Sequence, residues 1–321
     1  MKIKISTTHA AWPLKRQTPG WSGQWGDWEF VLNDIVDTCD YWVVCDDLLH
    51  TDKCVCKEAI LLTWEPPEVA RYSRSFVSQF SKVITCHTSI KHRNKMLYQQ
   101  SLPWMVGAKY SAISRKWSDF HLDYDKLKQC PPPNKTKLIS IICSDKKTTP
   151  DHRQRIIFTD RLKEYFGNRI DVYGKEGHLL EDKWSALYDY KYHIAIENSS
   201  INDYWTEKLS DSFLGLCFPI YYGCKNINQY FDIRSFQAID IYNIDESINK
   251  IDKILDQNLY EDSLSWLIDA KNKVLDTYNL FPYIISMVSM CNSINKKEVI
   301  VRPQGNCSTI LDKLLGLFDG I

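Results

Sequence analysis

The stretch from Glu197 to Lys208 carries side chains suited to binding an anion. Three apolar residues recur at helical spacing behind it, namely Leu209, Phe213 and Leu216. We expect a polar loop and then a helix that begins near Tyr204, with Asp203 as its N-cap. The unpaired N–H groups at a helix N-terminus attract an anion, and Lys208 near that end adds a full positive charge.

The same residues also have an ordinary structural interpretation. Lys208 can pair with its neighbour Glu207 or with solvent, and Glu207 can be a simple first-turn helix acid. If the helix end faces a cleft, Glu207 can instead accept hydrogen bonds from ribose or sugar hydroxyls. Both interpretations remain open from the residues alone.

A second polar loop follows the strand-like run 137–143 and leads into apolar residues at helical spacing. A loop at the carboxyl end of a strand is where an α/β sheet binds its ligands. The loop has no G-x-G-x-x-G sequence, so a dinucleotide held by glycine-rich backbone is not supported. A phosphate would need basic side chains of this region, which are Lys146, Lys147, Arg153 and Arg155.

Strand-like apolar runs alternate with helix-compatible segments on both sides of a proline-rich stretch. The runs are 41–45, 59–63, 82–86 and 137–143. This rhythm is typical of parallel sheets covered on both faces. Three consecutive prolines within residues 130–135 can continue neither a helix nor a central strand. The sequence predicts an α/β chain with domains at 1–129 and 136–321, joined by a linker at 130–135 and facing a cleft.

The composition excludes several classes of protein. The 321 residues balance 40 Lys and Arg against 40 Asp and Glu, which leaves no overall field to hold a nucleic acid. No apolar segment of signal-peptide length follows the first residues, and the longest apolar stretch, around 213–222, is too short to span a bilayer. We expect a cytoplasmic protein without a nucleic acid partner or a transmembrane segment; peripheral contact with a membrane stays open.

Several residues between 190 and 223 resemble a known signature. The segments are Tyr190-Lys-Tyr-His-Ile-Ala-Ile-Glu-Asn-Ser199, Asp203-Tyr-Trp-Thr-Glu-Lys-Leu209 and Pro219-Ile-Tyr-Tyr-Gly223. They are similar to the motifs of the family 10 glycosyltransferases, the α-1,3/α-1,4-fucosyltransferases. The resemblance implies a GT-B fold, in which two Rossmann-like domains face a cleft and GDP-fucose binds to the C-terminal domain.

The resemblance also implies a set of donor-binding residues. They are Arg155, Asn198, Tyr204, Glu207 and Lys208. Tyr204, Glu207 and Lys208 match the family's Y-x-T-E-K residues, which bind the nucleotide and the diphosphate, and Asn198 matches the asparagine of its E-N-S motif. Arg155 matches the arginine that contacts the diphosphate, although Arg153 is a close rival.

The acceptor residues are expected in the first domain. Glu65, in the segment Leu62-Thr-Trp-Glu-Pro-Pro-Glu68, matches the glutamate that the family uses as general base, with Glu68 as its nearest rival. A turn residue before two prolines is the alternative for Glu65. Trp25, Trp28 and Trp64 are candidates for stacking on an acceptor sugar, or else they seal loops onto the domain.

The chemistry that the resemblance implies is an inverting transfer of fucose to a hydroxyl of a glycan, such as a lipopolysaccharide or another surface glycan. A base must take the acceptor proton, and positive charge must stabilise the departing diphosphate. Lys208, Arg155, Tyr204 and the helix N-terminus would supply that stabilisation, so no metal or other cofactor is expected. A family member that uses another nucleotide sugar, or a non-catalytic glycan-binding relative, are the alternatives.

Two patterns that suggest a metal are interpreted otherwise. Asp123-Tyr-Asp125 is the only metal-type D-x-D, and it is read as a solvated loop because it does not follow a nucleotide-binding strand. The cysteines between Cys39 and Cys56, together with His50, are numerous enough for zinc. Their closest spacing is C-x-C, which zinc knuckles do not use, so a reduced thiol cluster is the favoured interpretation.

Overall fold

The computed structural model describes residues 1–111, 113–174 and 180–307. Its strands are β1 (Lys2–Thr7), β2 (Gln24–Trp25), β3 (Trp28–Leu32), β4 (Tyr41–Cys45), β5 (Asp52–Cys56), β6 (Glu58–Leu62), β7 (Lys82–Thr85), β8 (Lys95–Leu97), β9 (Lys109–Ser111), β10 (Lys116–Ser118), β11 (Lys137–Ile142), β12 (Ile170–Tyr173), β13 (Tyr190–Ile196), β14 (Phe218–Tyr222), β15 (Gln237–Ala238) and β16 (Lys297–Val301). Its helices are α1 (Arg74–Val77), α2 (Tyr124–Gln129), α3 (Pro150–Phe166), α4 (Glu207–Leu214), α5 (Ile244–Gln257), α6 (Leu259–Asp276) and α7 (Leu280–Ser289).

The described residues form two compact units. The first unit combines Met1–Ser101 with the described residues from Leu280 onwards, and the second unit is Leu102–Asn279. This division differs from the boundary predicted at 130–135, because the prolines lie inside the second unit, between α2 and β11.

The end of the chain belongs to the first unit because it packs there. Strand β16 pairs antiparallel with β5, and the ring of Phe281 in α7 meets that of Phe30 in β3 at 4.9 Å between centroids. Val301 of β16 is fully buried in the core of the first unit. Pairing between segments so distant in the chain has no local sequence signature, which explains why the sequence places 280–307 with the second domain instead.

The first unit is built on a seven-stranded sheet in the order β2-β3-β1-β4-β6-β7-β8. All neighbouring strands are parallel except β2 and β3. Every residue of β4 and β6 is buried. A strand covered on both faces must be apolar on both, and the continuous apolar run 41–45 meets this requirement.

The second unit has its own parallel sheet, in the order β12-β11-β13-β14-β15. Helix α3 connects β11 to β12, and α4 connects β13 to β14. Each unit therefore carries a Rossmann-like sheet. This confirms the predicted α/β class and the two Rossmann-like domains expected of a GT-B fold. In the part of the chain that the structure describes, no helix combines the length and the apolar character needed to cross a bilayer.

The strand orders locate a switch point in each sheet. In the first unit, β1 lies between β3 and β4; in the second, β11 lies between β12 and β13. The connections leave such a central pair in opposite directions, which opens a crevice beyond the carboxyl ends of the strands where α/β proteins bind ligands. Both groups of charged residues described below lie at these crevices.

Three cysteines of the suspected metal cluster join the core of the first unit. Cys39, Cys54 and Cys56 are 1%, 2% and 0% exposed, and the Sγ atoms of Cys39 and Cys54 lie 3.3 Å apart. The hydrogen bond to Cys56, together with burial, raises the pKa of the Cys39 thiol, and burial raises the pKa of Cys54 to about 12. These two thiols are therefore protonated at neutral pH and pack as small apolar groups.

Candidate active site

The loop between β13 and α4 is anchored by a buried glutamate. Glu197 is 0% exposed and accepts hydrogen bonds from the backbone N–H of Thr206 at 2.8 Å and from its hydroxyl at 2.7 Å. Thr206 is the N-cap of α4, and its hydroxyl accepts from the N–H of Lys208. The helix therefore begins at Glu207, three residues later than the predicted start near Tyr204.

Asp203, the predicted N-cap, has another role. Its backbone is left-handed, with φ 63°, and its Oδ1 accepts hydrogen bonds from the Asn226 side chain at 2.8 Å and from the Tyr230 hydroxyl at 2.5 Å. Asp203 thus ties the loop to the segment after β14. Asp is a favoured N-cap residue, which is why the sequence predicts Asp203. In the structure Thr206 is the N-cap, because Glu197 at the end of β13 accepts hydrogen bonds from its backbone N–H and hydroxyl.

Lys208 is paired with acids on two sides. Its Nζ lies 3.1 Å from Glu207 Oε1 and 3.5 Å from Glu197 Oε2. Burial opposes the charged form, but Glu207 and Glu197 outweigh it and hold the pKa of Lys208 above its ordinary value. The ordinary structural interpretation of Lys208, in which it pairs with Glu207, is therefore partly correct. The Lys208 side chain is 27% exposed, so it is not sealed from solvent.

A second lysine, Lys183, completes this charged group. Its Nζ lies 3.2 Å from Glu207 Oε1 and 3.3 Å from Asp211 Oδ2. Burial alone would raise the pKa of Glu207, but Lys183 and Lys208 hold it well below its ordinary range. Glu207 is thus a fixed carboxylate, suited to accept hydrogen bonds from hydroxyl groups. Sequence reasoning missed Lys183, because it lies between β12 and β13, far from the motif that holds its partners.

Asn198 and Tyr204 contact each other within the same loop. The hydroxyl of Tyr204 donates to Oδ1 of Asn198 at 2.9 Å, and the tyrosine side chain is 2% exposed. Asn198 is half-buried, and its carbonyl lies 3.5 Å from the hydroxyl of Thr149, the N-cap of α3. The two predicted donor residues therefore lie together, with Tyr204 orienting the amide of Asn198.

Arg155 brings a buried cation to this crevice. The residue is 4% exposed, and its Nη2 donates to the Ser144 hydroxyl at 2.9 Å and more weakly to the Ser144 carbonyl. Its Nε is buried without a hydrogen-bond partner, and among the described residues no carboxylate pairs with the guanidinium. A buried charge without a counter-ion is costly, so this guanidinium is suited to an anionic ligand. Arg153, its rival, is exposed and donates to the carbonyl of Lys147.

His152 is a further neighbour that the sequence analysis did not single out. Its Nδ1 accepts from the backbone N–H of Thr149 at 3.2 Å, which leaves the ring proton on Nε2. Burial and then Arg155, Lys146 and Lys208 lower the pKa of His152, whereas Asp151 raises it. His152 therefore belongs to the same crevice as the predicted donor residues Arg155 and Lys208. The histidine at the third helical position was the available sequence signal.

Gly223 shows why this signature includes a glycine. A Cβ placed there would lie 2.4 Å from Cγ of Glu197 and 2.4 Å from the hydroxyl of Tyr221. Any larger residue would displace the glutamate that holds the N-cap of α4. The glycine of the Pro219–Gly223 segment is thus required for packing beside the site.

Glu65 lies at the carboxyl edge of the first unit's sheet, just after β6. Its side chain is half-buried, and its carbonyl contacts Nε2 of His87 at 2.8 Å. The backbone N–H groups of Trp64 and Glu65 both point at Oδ1 of Asp46, at 2.5 and 3.4 Å. Glu68, the rival base, is exposed.

Trp64 is buried and has no free face. It is 1% exposed, and its ring stacks on Trp12 with centroids 5.5 Å apart, while Trp12 stacks on His9 at 4.2 Å. Direct contact of Trp64 with an acceptor, as predicted, therefore conflicts with its burial. The half-buried Trp12 and His9 are the accessible rings of this stack.

Trp25 and Trp28 lie in the same sheet but beside the amino ends of β3 and β4, opposite to the carboxyl ends near Glu65. They face each other across β2 and β3, and Trp28 stands at the amino end of β3, 6.3 Å from the ring of Tyr41 at the amino end of β4. A five-residue strand such as β4 separates the two edges by roughly 15 Å. The structure thus places Trp25 and Trp28 beside the amino ends of β3 and β4 and Glu65 beyond the carboxyl end of β6, and the contact of these two tryptophans with an acceptor stays a prediction.

The suspected metal motifs have structural roles. Asp123 is the N-cap of α2 and accepts from the backbone N–H of Lys126 at 2.9 Å, so the D-x-D begins a helix and is not a free loop. Within residues 1–111, 113–174 and 180–307, no group of three or more His, Cys, Asp or Glu side chains is arranged to hold a metal ion.

Comparison with known families gives a match over the second half of the chain. The sequence model described as glycosyltransferase family 10 (fucosyltransferase), C-terminal part, matches residues 132–306. The chain belongs to glycosyltransferase family 10. The predicted resemblance is thereby confirmed. The matched region includes all five predicted donor-binding residues of this family 10 member and excludes Glu65, whose role stays a prediction.

Two curated family 10 enzymes are similar to part of the chain. A 4-galactosyl-N-acetylglucosaminide 3-alpha-L-fucosyltransferase 9 from Bos taurus is 31% identical over 144 residues, which cover 43% of this chain and 39% of that enzyme. The alpha-(1,3)-fucosyltransferase FucT from Helicobacter pylori is 32% identical over 90 residues, 27% of this chain and 19% of that enzyme. The chain therefore spans well under half the length of these relatives.

Solved structures of similar chains include an alpha1,3-fucosyltransferase with GDP-fucose. It is 16% identical, has a TM-score of 0.48, and the alignment covers 88% of this chain and 92% of that one. A structure of TarM is 8% identical, with a TM-score of 0.42. The alignment covers 79% of this chain and 55% of TarM.

Proposed function

We propose that the protein transfers fucose from GDP-fucose to a hydroxyl of a glycan acceptor, with inversion at the anomeric carbon, as an α-1,3-fucosyltransferase. The observation that carries the proposal is Arg155, a buried guanidinium at the switch point of the second unit that has no carboxylate partner among the residues the structure describes. A diphosphate is the anion that family 10 membership implies, and it would supply the missing counter-charge.

The other donor residues have complementary tasks. Lys208, near the N-terminus of α4, would share the charge of the diphosphate with Arg155. Glu207, held ionised by Lys183 and Lys208, would accept hydrogen bonds from ribose hydroxyls. Asn198, oriented by Tyr204, would bind in the donor pocket through its amide.

The chemical step would be a single displacement. The acceptor oxygen forms a bond to the anomeric carbon of fucose, the bond from that carbon to the diphosphate oxygen breaks, and GDP leaves with the electron pair. Glu65 would take the acceptor's hydroxyl proton. Arg155 and Lys208 would stabilise the charge that develops on GDP, so we propose that no metal ion is needed.

Product analysis tests this proposal. GDP-fucose is incubated with a glycan acceptor array, and products are identified by mass spectrometry before and after EDTA treatment. A deoxyhexose added to a glycan, with the rate unchanged by EDTA, would support a metal-independent fucosyltransferase. Calorimetric titration with a nucleotide-sugar panel would reveal a preference for a different donor, and binding of glycans without turnover would indicate a non-catalytic relative.

The biological setting is part of the proposal. We propose a cytoplasmic enzyme that acts on a lipopolysaccharide or another surface glycan, without a nucleic acid partner. The balanced charge of the sequence, 40 basic against 40 acidic residues, supports the last point. Acceptors on the array that contain lipopolysaccharide core or O-chain sugars test the substrate class, and cell fractionation tests the location.

A further inference from the structure

Asp46 occupies the switch point of the first unit's sheet. It directly follows β4, next to the carboxyl end of β1, and is 8% exposed. Its backbone is left-handed, with φ 63°, a conformation that Asp, Asn and Gly tolerate best. The carboxylate is therefore held at the one place in this sheet where a ligand crevice is expected.

One oxygen of Asp46 holds the turn that carries Glu65. Oδ1 accepts hydrogen bonds from the backbone N–H of Trp64 at 2.5 Å and from the Tyr72 hydroxyl at 2.6 Å, and a longer one from the N–H of Glu65 at 3.4 Å. Charge-assisted hydrogen bonds of this kind are about twice as strong as neutral ones. Two consecutive backbone amides on one carboxylate restrict the direction in which the Glu65 side chain leaves the turn.

The second carboxylate oxygen of Asp46, Oδ2, lies toward the segment that follows β1. Oδ2 lies 3.8 Å from Nε2 of His9, which follows β1. His9 stacks on Trp12, and Trp12 stacks on Trp64, so the rings cross the carboxyl edge above β4. Asp46 thus contacts residues that follow both neighbouring strands and links the half-buried rings to the turn of Glu65.

We propose that Asp46 is a positioning residue, which acts through Glu65 by fixing the Trp64–Glu65 turn in one orientation. This inference rests on the proposed function of Glu65 as general base. Asp46 itself contacts neither the acceptor nor the donor in this account. Its loss would displace the base, and a misplacement of about 1 Å can lower a rate by about 100-fold.

The test uses two variants of Asp46 and one matched control. Asp46→Gly removes the carboxylate while keeping the left-handed backbone free of strain, and Asp46→Asn retains an acceptor oxygen in a residue that also tolerates that backbone. Asp47→Asn is the control: Asp47 also accepts two backbone N–H groups, from Leu48 at 2.8 Å and Gln304 at 3.0 Å, but it does not hold the Glu65 turn.

The expected result separates turnover from donor binding. Asp46→Gly should lower kcat by about 100-fold, in line with a displaced catalytic group, and Asp46→Asn should restore part of it. The Kd of both Asp46 variants for GDP-fucose should stay within about twofold of the parent value. The kcat of Asp47→Asn should also stay within about twofold of the parent value. Adding Glu65→Gln to Asp46→Gly should lower kcat no further than Glu65→Gln alone, because two groups that act as a unit are not additive.

Each outcome decides a separate point. Parental turnover of Asp46→Gly, or effects that multiply in the double variant, would overturn the inference about Asp46 while leaving fucosyl transfer intact. If the parent protein transfers no fucose, the proposed function fails, and hydrogen exchange then tests the turn by itself. The amides of Trp64 and Glu65 should exchange faster in Asp46→Gly than in Asp47→Asn; equal exchange would overturn the inference.

Discussion

The two units place different charged side chains at equivalent points of their sheets. In the second unit the switch point gathers the cations Arg155 and Lys208 around an imidazole, whereas in the first unit it gathers the carboxylates of Asp46 and Glu65. Cations suit a diphosphate, and a carboxylate suits removal of a proton. Under the proposed function, the same strand arrangement would serve the two halves of one transfer reaction.

The units also differ in how their sites are assembled from the chain. Most of the second unit's site comes from one loop and the helix after it, residues 197–208, so a short motif reveals it. The candidate site of the first unit consists of residues that follow four strands, β1, β4, β6 and β7. Each strand end contributes one or two of these residues. A site dispersed in this way leaves no compact motif, and the family match accordingly covers 132–306.

The largest effect that tests this contrast is expected at Glu65. Glu65→Gln should reduce transfer by about 1,000-fold or more, since a general base contributes about 10²–10⁴ and the amide cannot accept a proton. GDP-fucose binding should stay unchanged. Initial-rate kinetics and calorimetry measure the two quantities, and Glu68→Gln is the control, expected to keep the parental rate. If Glu65→Gln turned over normally, the carboxylate of the first unit would have no catalytic role.

Arg155 tests the cationic site of the second unit. Arg155→Met should weaken GDP-fucose binding by about 100-fold, because a charge-assisted contact to a buried anion contributes about 1.5–3 kcal/mol. The melting temperature should hold or rise, since the variant removes a buried cation that no carboxylate of the described residues pairs with. Calorimetry and thermal unfolding provide the two readouts. Arg153→Met, at an exposed neighbour, should change the Kd by less than about twofold.

Trp12 tests which edge of the first sheet meets the acceptor. Trp12→Ala should raise the KM for the acceptor by about fivefold, in keeping with about 1 kcal/mol for a stacked ring. Trp28→Ala, at the opposite edge, should leave the KM unchanged. Both are measured by varying the acceptor at saturating GDP-fucose. A larger effect of Trp28→Ala would instead place the acceptor at the amino ends of these strands.

The smallest predicted effect concerns His152 and pH. Burial and the cations Arg155, Lys146 and Lys208 lower its pKa, so the free protein holds it neutral near pH 7, although Asp151 opposes this. A bound diphosphate would offset those cations and raise the pKa, and binding that takes up a proton strengthens as pH falls. GDP-fucose affinity should therefore increase by about threefold between pH 7.5 and 5.5.

Calorimetry across that pH range measures the His152 effect. GDP-fucose is the right ligand because its esterified diphosphate does not titrate there. His152→Gln should flatten the profile, and a slope that persists in this variant would assign the proton to another group.

Sequence reasoning located what is local and apolar. The runs 41–45 and 137–143 predicted β4 and β11, because a buried parallel strand must be apolar on both faces. The motif also brought Asn198, Tyr204, Glu207 and Lys208 to one loop and helix. These predictions depend on neighbours in the chain.

The remaining features depend on distant neighbours. Thr206 and not Asp203 caps α4, since Glu197 at the strand end reaches Thr206. Trp64 is covered by Trp12, and no pattern within 62–68 reveals that cover. Lys183 completes the charged group from a segment outside the motif. Each of these outcomes follows from tertiary contact, which residue type and spacing do not encode.

The pairing of β16 with β5 has a consequence for synthesis of the protein. A ribosome releases the first unit's opening strands long before it makes α7 and β16, which complete that unit's core. Every residue of the second unit emerges in between, so the second unit can fold while the first waits for its last strand. The half of the protein that is made first is thus finished last, and a fragment ending before Leu280 would leave the edge of β5 unpaired and its core open to aggregation.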